Sequence, residues 1–312
     1  MLLGNEIKEY LIGSLEDPQS GKSSHWEQYL QDFSFDETIG FTGIEGFGTR
    51  THDKIKIKVF SRIHDILQLP YIYKLKNTKH LHDILEKGHS VAKAQNRIFD
   101  LDMLRQALTL AFCNSTVSEF KANNKLHLVI GDGLGSLTSL ISLCTDNKIV
   151  SINLNEILLV DYIYTRGIFS DTNTALVTTE AETREAFEDS NIRLIYIQAQ
   201  NHSFLRVLPV HFAYNIASMQ EMNPVTVKLY FDDLRNCMSR GVNFYCCNRI
   251  EKTFPDGTIS RFSEYPWSSD DIIIRDELCP WHQYYYSKSP PYYHRYDGPT
   301  QHRLVRFNSS HL

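Results

Sequence analysis

The sequence lacks the features that mark membrane, secreted and nucleic-acid-binding proteins. Its apolar runs all fall short of the roughly 18 residues that a membrane-spanning helix needs. Residues 1–13 carry charged side chains where a secretory signal would be apolar. Positive charge is not in excess, because 32 Lys and Arg residues against 37 Asp and Glu residues give a net charge of −5. We therefore expect a cytoplasmic protein with no membrane span and no nucleic-acid partner.

The usual metal-binding spacings of two cysteines or two histidines are also lacking. The six cysteines include no Cys-x-x-Cys pair, and the 13 histidines include no His-x-x-x-His pair. Scattered cysteines of this kind are typical of proteins that fold in a reducing compartment. We therefore expect free thiols and no dedicated metal site.

The first 122 residues are predicted to form a helix-rich N-terminal extension or cap. Residues 40–50 contain four glycines among aromatic residues, which predicts a loop. Between residues 53 and 120 apolar residues recur at helical spacing, and Asp100 is a plausible N-cap for one of these helices. At 312 residues, the chain is long enough to bury a substantial core behind such an extension.

Residues 123–312 alternate between strand-like and helix-like segments. Apolar runs of strand length are predicted at residues 126–130, 148–154, 192–197, 210–217, 242–247 and 303–307. One of the helices between them begins after Asn223, with Pro224 in its first position, and ends at Gly241. Alternation of this kind predicts an α/β domain with a mostly parallel sheet.

The strand at residues 126–130 runs directly into three glycines at alternate positions, Gly131, Gly133 and Gly135. Glycine lets the backbone approach a ligand closely, and the helix that follows presents free N–H groups at its start. The spacing is typical of sites for S-adenosylmethionine. A dinucleotide site would have its third glycine where Ser136 stands.

Two positions depart from the usual pattern of such sites. Val129 stands where an acidic residue usually precedes the first glycine, and Asn153 stands where an acidic residue usually ends the second strand. An amide can still hydrogen-bond a ribose hydroxyl, but without the pull of a charge. Asp132, Asn155 and Glu156 are near enough in sequence to compensate. The sequence leaves open how tightly the cofactor binds.

Longer motifs in the second half resemble the bacterial sugar O-methyltransferase family, whose members are encoded among genes for surface-polysaccharide synthesis. The motifs are residues 215–222 (NIASMQEM), 244–252 (FYCCNRIEK), 262–267 (FSEYPW) and 279–283 (CPWHQ). The resemblance covers roughly residues 126–307. It implies a class I, Rossmann-like methyltransferase fold with an antiparallel C-terminal strand. It also implies S-adenosylmethionine as methyl donor and a sugar hydroxyl as acceptor.

Ligands of parallel α/β sheets bind outside the carboxyl ends of the strands, so the polar residues at those ends are predicted to meet at one edge. The residues expected to bind the cofactor are Gly131, Asp132, Gly133, Gly135, Asn153, Leu154, Gln198, Asn215 and Ser218. Polar groups suit sugar hydroxyls or phosphates, and aromatic faces suit sugar rings. The residues expected to bind the acceptor on these grounds are Gln220, Asn248, Arg249, Tyr265, Trp267 and Trp281.

Methyl transfer to a hydroxyl needs a group that removes the hydroxyl proton. The candidate bases are Glu221, His282 and His202. Glu221 and His282 also have structural interpretations. An acidic residue such as Glu221 is favoured near a helix start, and a histidine beside Trp281 is more often packed in a core. Sugar methyltransferases of other families use magnesium, so a requirement for a divalent metal ion is left open, although no site for one is indicated.

Taken together, these patterns predict a methyltransferase that uses S-adenosylmethionine and acts on a hydroxyl of a glycan or nucleotide-sugar precursor in surface-polysaccharide synthesis. One alternative is a non-catalytic binding or scaffold protein on a degenerate methyltransferase fold, which Val129 and Asn153 would favour. A second is a nucleotide-dependent oxidoreductase, which Ser136 disfavours. The sequence predicts neither the sugar and its hydroxyl nor the oligomeric state.

Overall fold

The computed structural model describes residues 1–15, 21–38, 40–43, 54–287 and 289–308. The predicted glycine-rich loop at residues 40–50 lies mostly outside the described residues. Its described beginning, Gly40–Thr42, is a short strand.

The helices follow the periodicity of the sequence. In chain order they are α1 (Asn5–Gly13), α2 (Ser24–Tyr29), α3 (Lys54–Tyr73), α4 (Leu81–Ala94), α5 (Leu101–Thr116), α6 (Ser136–Cys144), α7 (Asn155–Thr165), α8 (Glu180–Glu188) and α9 (Pro224–Arg235). The predicted cap of α5 is confirmed, because the Asp100 carboxylate accepts the backbone N–H of Met103 at 3.0 Å. None of the described helices is both long enough and apolar enough to cross a bilayer.

In chain order the strands are β1 (Leu2–Leu3), β2 (Ser34–Asp36), β3 (Gly40–Thr42), β4 (Leu126–Ile130), β5 (Lys148–Asn153), β6 (Thr174–Val177), β7 (Leu194–Gln198), β8 (Phe212–Ile216), β9 (Asn243–Arg249), β10 (Glu251–Thr253), β11 (Ile259–Arg261), β12 (Ile272–Leu278), β13 (Tyr284–Tyr286), β14 (Tyr293–Arg295) and β15 (Thr300–Arg306). Five of the strands, β4, β5, β7, β8 and β9, begin and end within about two residues of the bounds predicted from the sequence.

The main sheet has the order β1-β6-β7-β5-β4-β8-β9-β15-β12 among the described residues. From β6 to β9 all neighbours are parallel, whereas β15 pairs antiparallel with both β9 and β12. The central strands are buried on both faces, which is why they appear in the sequence as continuous apolar runs. The predicted mostly parallel sheet with an antiparallel C-terminal strand is therefore confirmed.

Among the strands that were not predicted, β6 (Thr174–Val177) changes the numbering of those that follow. The sequence analysis took residues 192–197 as the third strand, but β6 comes first in the chain and β7 then returns to lie between β6 and β5. Gln198 at the end of β7 is therefore paired with Asn153 at the end of β5. The polar residues still reach the same edge of the sheet.

Helices cover both faces of the sheet. One apolar core joins α1, α4, α5, α6 and α7 to one face, and the other joins α8 and α9 to the opposite face. The N-terminal helices thus share a core with the α/β part of the chain, and β1 extends the sheet beyond β6. The split into residues 1–122 and 123–312 stays a prediction.

Candidate active site

Two cavities lie above the carboxyl ends of the central strands and share Trp26, Asn153 and Ser218 in their walls. The smaller cavity, about 240 Å³, extends toward α5 and the turn after β14. The larger, about 560 Å³, extends toward α9. We call them the small cavity and the large cavity below. Together they fall in the size range of sites for cofactors and small molecules.

The small cavity is lined mainly by polar and charged side chains. Its floor is the turn after β4, with Gly131, Asp132 and Gly133. The remaining walls bring together Trp26, Arg97, Asp102, Arg105, Gln106, Leu134, Ser136, Asn153, Ile157, Ile216, Ala217, Ser218, Glu221, His282 and Tyr296. The polar groups can hydrogen-bond a ligand, and the aromatic side chains offer it an apolar face.

The large cavity is more apolar. Leu154, Met222, Leu229 and Tyr230 contribute much of its wall, and polar groups enter from Asn153 and Ser218 at the shared side. An apolar pocket with a few polar groups at one end suits a purine ring joined to a ribose.

The glycine turn is shaped by a close contact within the protein. A Cβ added to Gly131 would lie 2.0 Å from the Ser218 Oγ, so this position requires glycine because the loop after β8 crosses over it. Gly135 has φ of 58° and packs against α7, where an added Cβ would lie 2.4 Å from the Thr165 Cγ2. Among the three glycines, Gly131 and Gly133 line the small cavity and Gly135 serves helix packing.

Two buried carboxyl groups organise the turn. The Asp132 carboxylate accepts the backbone N–H groups of Leu137 at 3.0 Å and Thr138 at 2.7 Å, and thus caps the start of α6. Asp161 accepts the N–H of Gly135 at 2.8 Å and the Asn153 amide at 2.9 Å. Burial raises the pKa of both carboxyl groups, that of Asp161 well above its usual range. Because it donates to Asp161, the Asn153 amide nitrogen is directed to α7.

A network of buried amides fixes the loop after β8. The Asn215 side chain donates to the carbonyl oxygen of Ile130 at 3.0 Å and accepts from the Asn248 amide at 2.9 Å. Asn248 accepts the N–H of Gln220, and Gln220 accepts the N–H of Arg249, at 3.0 Å and 2.7 Å. These predicted ligand-binding residues thus hold the loop that carries Ser218 and Glu221, rather than lining the two cavities.

Glu221 faces the small cavity within a cluster of charged groups. Its Oε1 lies 2.7 Å from the Lys252 Nζ and 3.6 Å from the His25 Nε2. The two nitrogens are 3.5 Å apart. Burial lowers the pKa of His25 below its usual value of 6.5, although the Glu221 carboxylate opposes the shift. Near neutral pH the imidazole is therefore uncharged and able to accept a proton.

A stretch of the N-terminal region, residues 21–26, lies over the cavities, and we call it the cover segment. The Ser23 hydroxyl donates to the Glu221 carbonyl oxygen at 2.5 Å, and the Asn223 amide donates to the Lys22 carbonyl oxygen at 3.2 Å. Lys22 also forms an ion pair with the buried Glu156 at 2.5 Å. Trp26 at the end of the segment lines both cavities.

The two histidines predicted as bases occupy different places. His282 is buried at the wall of the small cavity, and its Nδ1 lies 3.2 Å from the Cys279 Sγ. Burial lowers its pKa well below the usual value. His202 lines the large cavity, where its Nδ1 lies 2.5 Å from an Asp233 carboxylate oxygen. Of the three candidate bases, Glu221 and His282 reach the small cavity.

Several predicted residues lie apart from the two cavities. The Trp281 indole donates to the Thr109 hydroxyl at 3.1 Å in the core. Gln198 donates to the Asn155 side chain at 2.8 Å. The Trp267 indole donates to the Phe262 carbonyl oxygen at 2.8 Å, and Tyr265 is buried in the same apolar core. Arg249 pairs with Asp297 at 3.0 Å. Their assignments to cofactor or acceptor stay predictions.

The sequence analysis missed the charged residues that the N-terminal region brings to the small cavity. Arg105 donates to the carbonyl oxygens of Trp281 at 3.2 Å and Tyr284 at 2.9 Å, and its side chain is only 7% exposed. Arg97 donates to the Ser136 hydroxyl at 2.9 Å. Arg105 lies in the apolar sequence of α5, where a charge needs a buried partner or a ligand. Its position in that helix was the feature of the sequence that could have indicated it.

The strand order β7-β5-β4-β8-β9-β15-β12, the glycine turn after β4 and the antiparallel pairing of β15 define a class I, Rossmann-like methyltransferase fold, and β6 and β1 extend its sheet. The sequence matches no protein-family model and no curated protein. Among solved structures, an rRNA methylase from Streptococcus thermophilus is similar at 10% identity over 64% of this chain and 96% of that chain, with a TM-score of 0.40. A SAM-dependent methyltransferase from Leishmania major is similar at 9% identity over 72% and 82%, with a TM-score of 0.42.

The residues around the turn fit S-adenosylmethionine in size and chemistry. The small cavity lies beside the turn at Gly131 and Gly133 and reaches Arg97, whose guanidinium suits a carboxylate. Leu154, Met222 and the large cavity beyond them suit an adenosine group. The Ser218 side chain occupies the space directly over Gly131, and the cavity beside the turn is open among the residues described.

Proposed function

We propose that this protein transfers a methyl group from S-adenosylmethionine to a hydroxyl group of a sugar in a glycan or nucleotide-sugar precursor. The observation that carries the proposal is the pair of cavities that meet above the glycine turn at Trp26, Asn153 and Ser218. One cavity is apolar and suits a nucleoside, while the other is polar and contains a carboxylate beside an uncharged imidazole.

The proposed division of labour follows from the linings of the cavities. Leu154 and Met222 would contact the adenosine of the cofactor, and Arg97 would bind its carboxylate. When bound, the cofactor supplies an electrophilic methyl carbon on a sulfonium, which leaves as an uncharged thioether. Arg105 and Gln106 would orient the acceptor hydroxyls, with Trp26 and Tyr296 against the ring.

Glu221 is the proposed proton acceptor. As the hydroxyl oxygen forms its bond to the methyl carbon, the hydroxyl proton would move to the Glu221 carboxylate, which faces the small cavity. Lys252 holds this carboxylate in position at 2.7 Å, and His25 lies close enough to take the proton onward. His282 is the second candidate base, since it also reaches the small cavity.

Calorimetric titration with S-adenosylhomocysteine tests the cofactor half of the proposal. We expect a single binding site per chain. Arg97→Met is expected to weaken the affinity for S-adenosylhomocysteine at least about tenfold, because an arginine–carboxylate hydrogen bond pair contributes about 1.5–3 kcal/mol. Arg166→Met is the matched control, since Arg166 lies on the surface in a pair with Asp171. No binding at millimolar ligand would refute the enzymatic proposal.

Such a result would favour the second candidate, a non-catalytic binding protein on this fold. The observation in its favour is that the Asn153 amide, at the position of the usual ribose-binding acid, donates to Asp161. The Asn153 Oδ1 accepts the backbone N–H of Leu154 at 3.0 Å, so both polar atoms of the side chain have partners within the protein.

Transfer of a labelled methyl group tests the acceptor half. A lysate from cells that lack the protein is incubated with methyl-labelled S-adenosylmethionine and the purified protein, and is then divided into polysaccharide, nucleotide-sugar, protein and nucleic-acid fractions. We expect label in a carbohydrate fraction, insensitive to ribonuclease and protease. Label that ribonuclease releases would identify RNA as the acceptor and would contradict the sugar assignment.

A further inference from the structure

Three potential metal ligands meet behind the small cavity. Cys247 belongs to β9, Cys279 directly follows β12, and His282 lies in the turn after it. The His282 Nδ1 is 3.2 Å from the Cys279 Sγ and 3.6 Å from the Cys247 Sγ, and the three atoms lie within 4.8 Å of one another. Both cysteines are fully buried and His282 is 3% exposed.

The 3.6 Å separation equals an edge of a tetrahedral zinc site, and the 3.2 Å separation is slightly shorter than one. With Zn–S bonds of about 2.3 Å and Zn–N bonds of about 2.0–2.1 Å, neighbouring sulfur and nitrogen ligands lie about 3.6 Å apart. Cys279-x-x-His282 supplies two ligands from one short turn, and Cys247 supplies the third from the neighbouring strand region. Ligands on separate strands, 32 residues apart, give no closely spaced pattern of cysteines in the sequence.

The adjacent cysteines of β9 differ in their surroundings. Cys246 faces the core shared with α9, where its sulfur accepts from the Asn248 amide at 3.1 Å. Cys247 faces the opposite core, toward His282. Because successive residues of a strand point to opposite faces, Cys246 is a matched internal control for Cys247.

We propose that Cys247, Cys279 and His282 bind a zinc ion. Two thiolates and an imidazole are ligands that zinc prefers over magnesium or calcium, which take oxygen ligands. Two thiolate charges neutralise the ion, so the site tolerates complete burial. The ion ties β9 to the turn after β12 and holds His282 in the wall of the small cavity.

Metal content and cobalt spectroscopy test the site without reference to methyl transfer. The wild-type chain, purified with a phosphine reductant, is analysed for zinc by mass spectrometry, and the metal-free protein is then titrated with Co²⁺ alone. We expect about one zinc per chain and, with cobalt, the near-ultraviolet charge-transfer band of cobalt–thiolate bonds together with tetrahedral visible bands. Cys246→Ser is expected to behave as wild type.

Cys247→Ser, Cys279→Ser and His282→Gln are expected to bind zinc at least about tenfold more weakly, since even loss of a group that only supports a ligand costs 10–100-fold. Circular dichroism confirms that each variant is folded. If the variants do not fold, the wild-type titration decides alone. Absence of a cobalt–thiolate band in reduced wild-type protein, a Cys247–Cys279 disulfide in protein purified without oxygen, or unchanged affinity in all three variants would overturn the proposal.

Discussion

Charged side chains at the small cavity are held by charged or polar partners, and these partners determine the effect of a single substitution. Glu221 lies between Lys252 and His25, and Arg105 is held by two backbone carbonyl oxygens. A buried charge whose partner is removed is left uncompensated, so substitutions here affect more than the side chain that is changed. Conservative replacements are therefore the informative ones.

Glu221→Gln removes the proposed proton acceptor while keeping the size of the side chain. We expect kcat to fall about 10²–10⁴-fold, the usual contribution of a general base, while affinity for S-adenosylhomocysteine changes by less than about threefold. Steady-state kinetics with labelled cofactor and calorimetry measure the two quantities.

Glu264→Gln is the control for this variant, since Glu264 is 61% exposed and pairs only weakly with Arg261 on the surface. Near-normal turnover in Glu221→Gln with the cofactor bound would show that the proton leaves by another route. His282 can accept it only in protein whose His282 Nδ1 holds no zinc, which the metal analysis of the wild-type chain decides.

Some of the residues that line the cavities were predicted from their place after a strand, whereas Gln198, Asn215 and Asn248 were predicted by the same rule and do not line them. Gly131, Asp132, Gly133 and Asn153 reach the cavities because the carboxyl ends of parallel strands meet at one edge.

Arg97 lies in the connection between α4 and α5, and Arg105 lies on α5. Both were missed because the side of a connection or a helix that faces the sheet edge depends on tertiary packing. The one local signal was the charge of Arg105 within an apolar helix.

At the scale of elements, long apolar strands were easier to predict than short or exposed ones. β4 was predicted with its observed ends because its five residues are all buried and a glycine turn follows. β6 has only four residues, Thr174–Val177, and β12 is exposed along its whole length at the edge of the sheet. Neither has the pattern of an apolar run with turns at both ends.

The contact between α6 and α7 depends on Gly135, and this can be measured. Alanine there would adopt a φ of 58° and place its Cβ 2.4 Å from the Thr165 Cγ2 and 3.0 Å from the Asp161 carbonyl oxygen. We expect Gly135→Ala to lower the free energy of unfolding by about 2–5 kcal/mol, the sum of backbone strain and overpacking. Urea denaturation measures the loss.

Gly257→Ala separates the two contributions. Gly257 has φ of 84° with nothing within 4 Å of an added Cβ, so only backbone strain of about 1–2 kcal/mol is expected. Equal losses in the two variants would mean that α6 can move away from Thr165 at no cost.

At the scale of the whole molecule, buried histidines make stability depend on pH. His127 in β4 is fully buried beside the Tyr214 hydroxyl at 3.1 Å. Burial, with His211 nearby, lowers the pKa of His127 from 6.5 to about 3. Between these values the unfolded chain binds a proton at His127 that the folded chain does not. Stability is therefore lost as pH falls below 6.5, by about 1.4 kcal/mol per pH unit from this residue.

His127→Gln should remove that contribution. The variant is expected to be less stable than wild type at pH 7, and the gap in free energy of unfolding should narrow as pH falls from 6 to 4. Urea denaturation across this range provides the comparison. If the free energies of unfolding of the two proteins changed in parallel with pH, His127 would bind its proton in the folded chain over the same pH range as in the unfolded chain.

On the proposed function, the cover segment would also influence how quickly a product departs. A nucleoside in the large cavity would lie beneath Trp26 and the residues before it. These residues are joined to the rest of the chain by the Ser23 and Asn223 hydrogen bonds and the Lys22–Glu156 ion pair. Loop openings of this type take microseconds to milliseconds and limit turnover in many enzymes. Such an enclosure favours a rapid first catalytic cycle followed by slower cycles. The slow step is then the release of the used methyl donor and the binding of a new one.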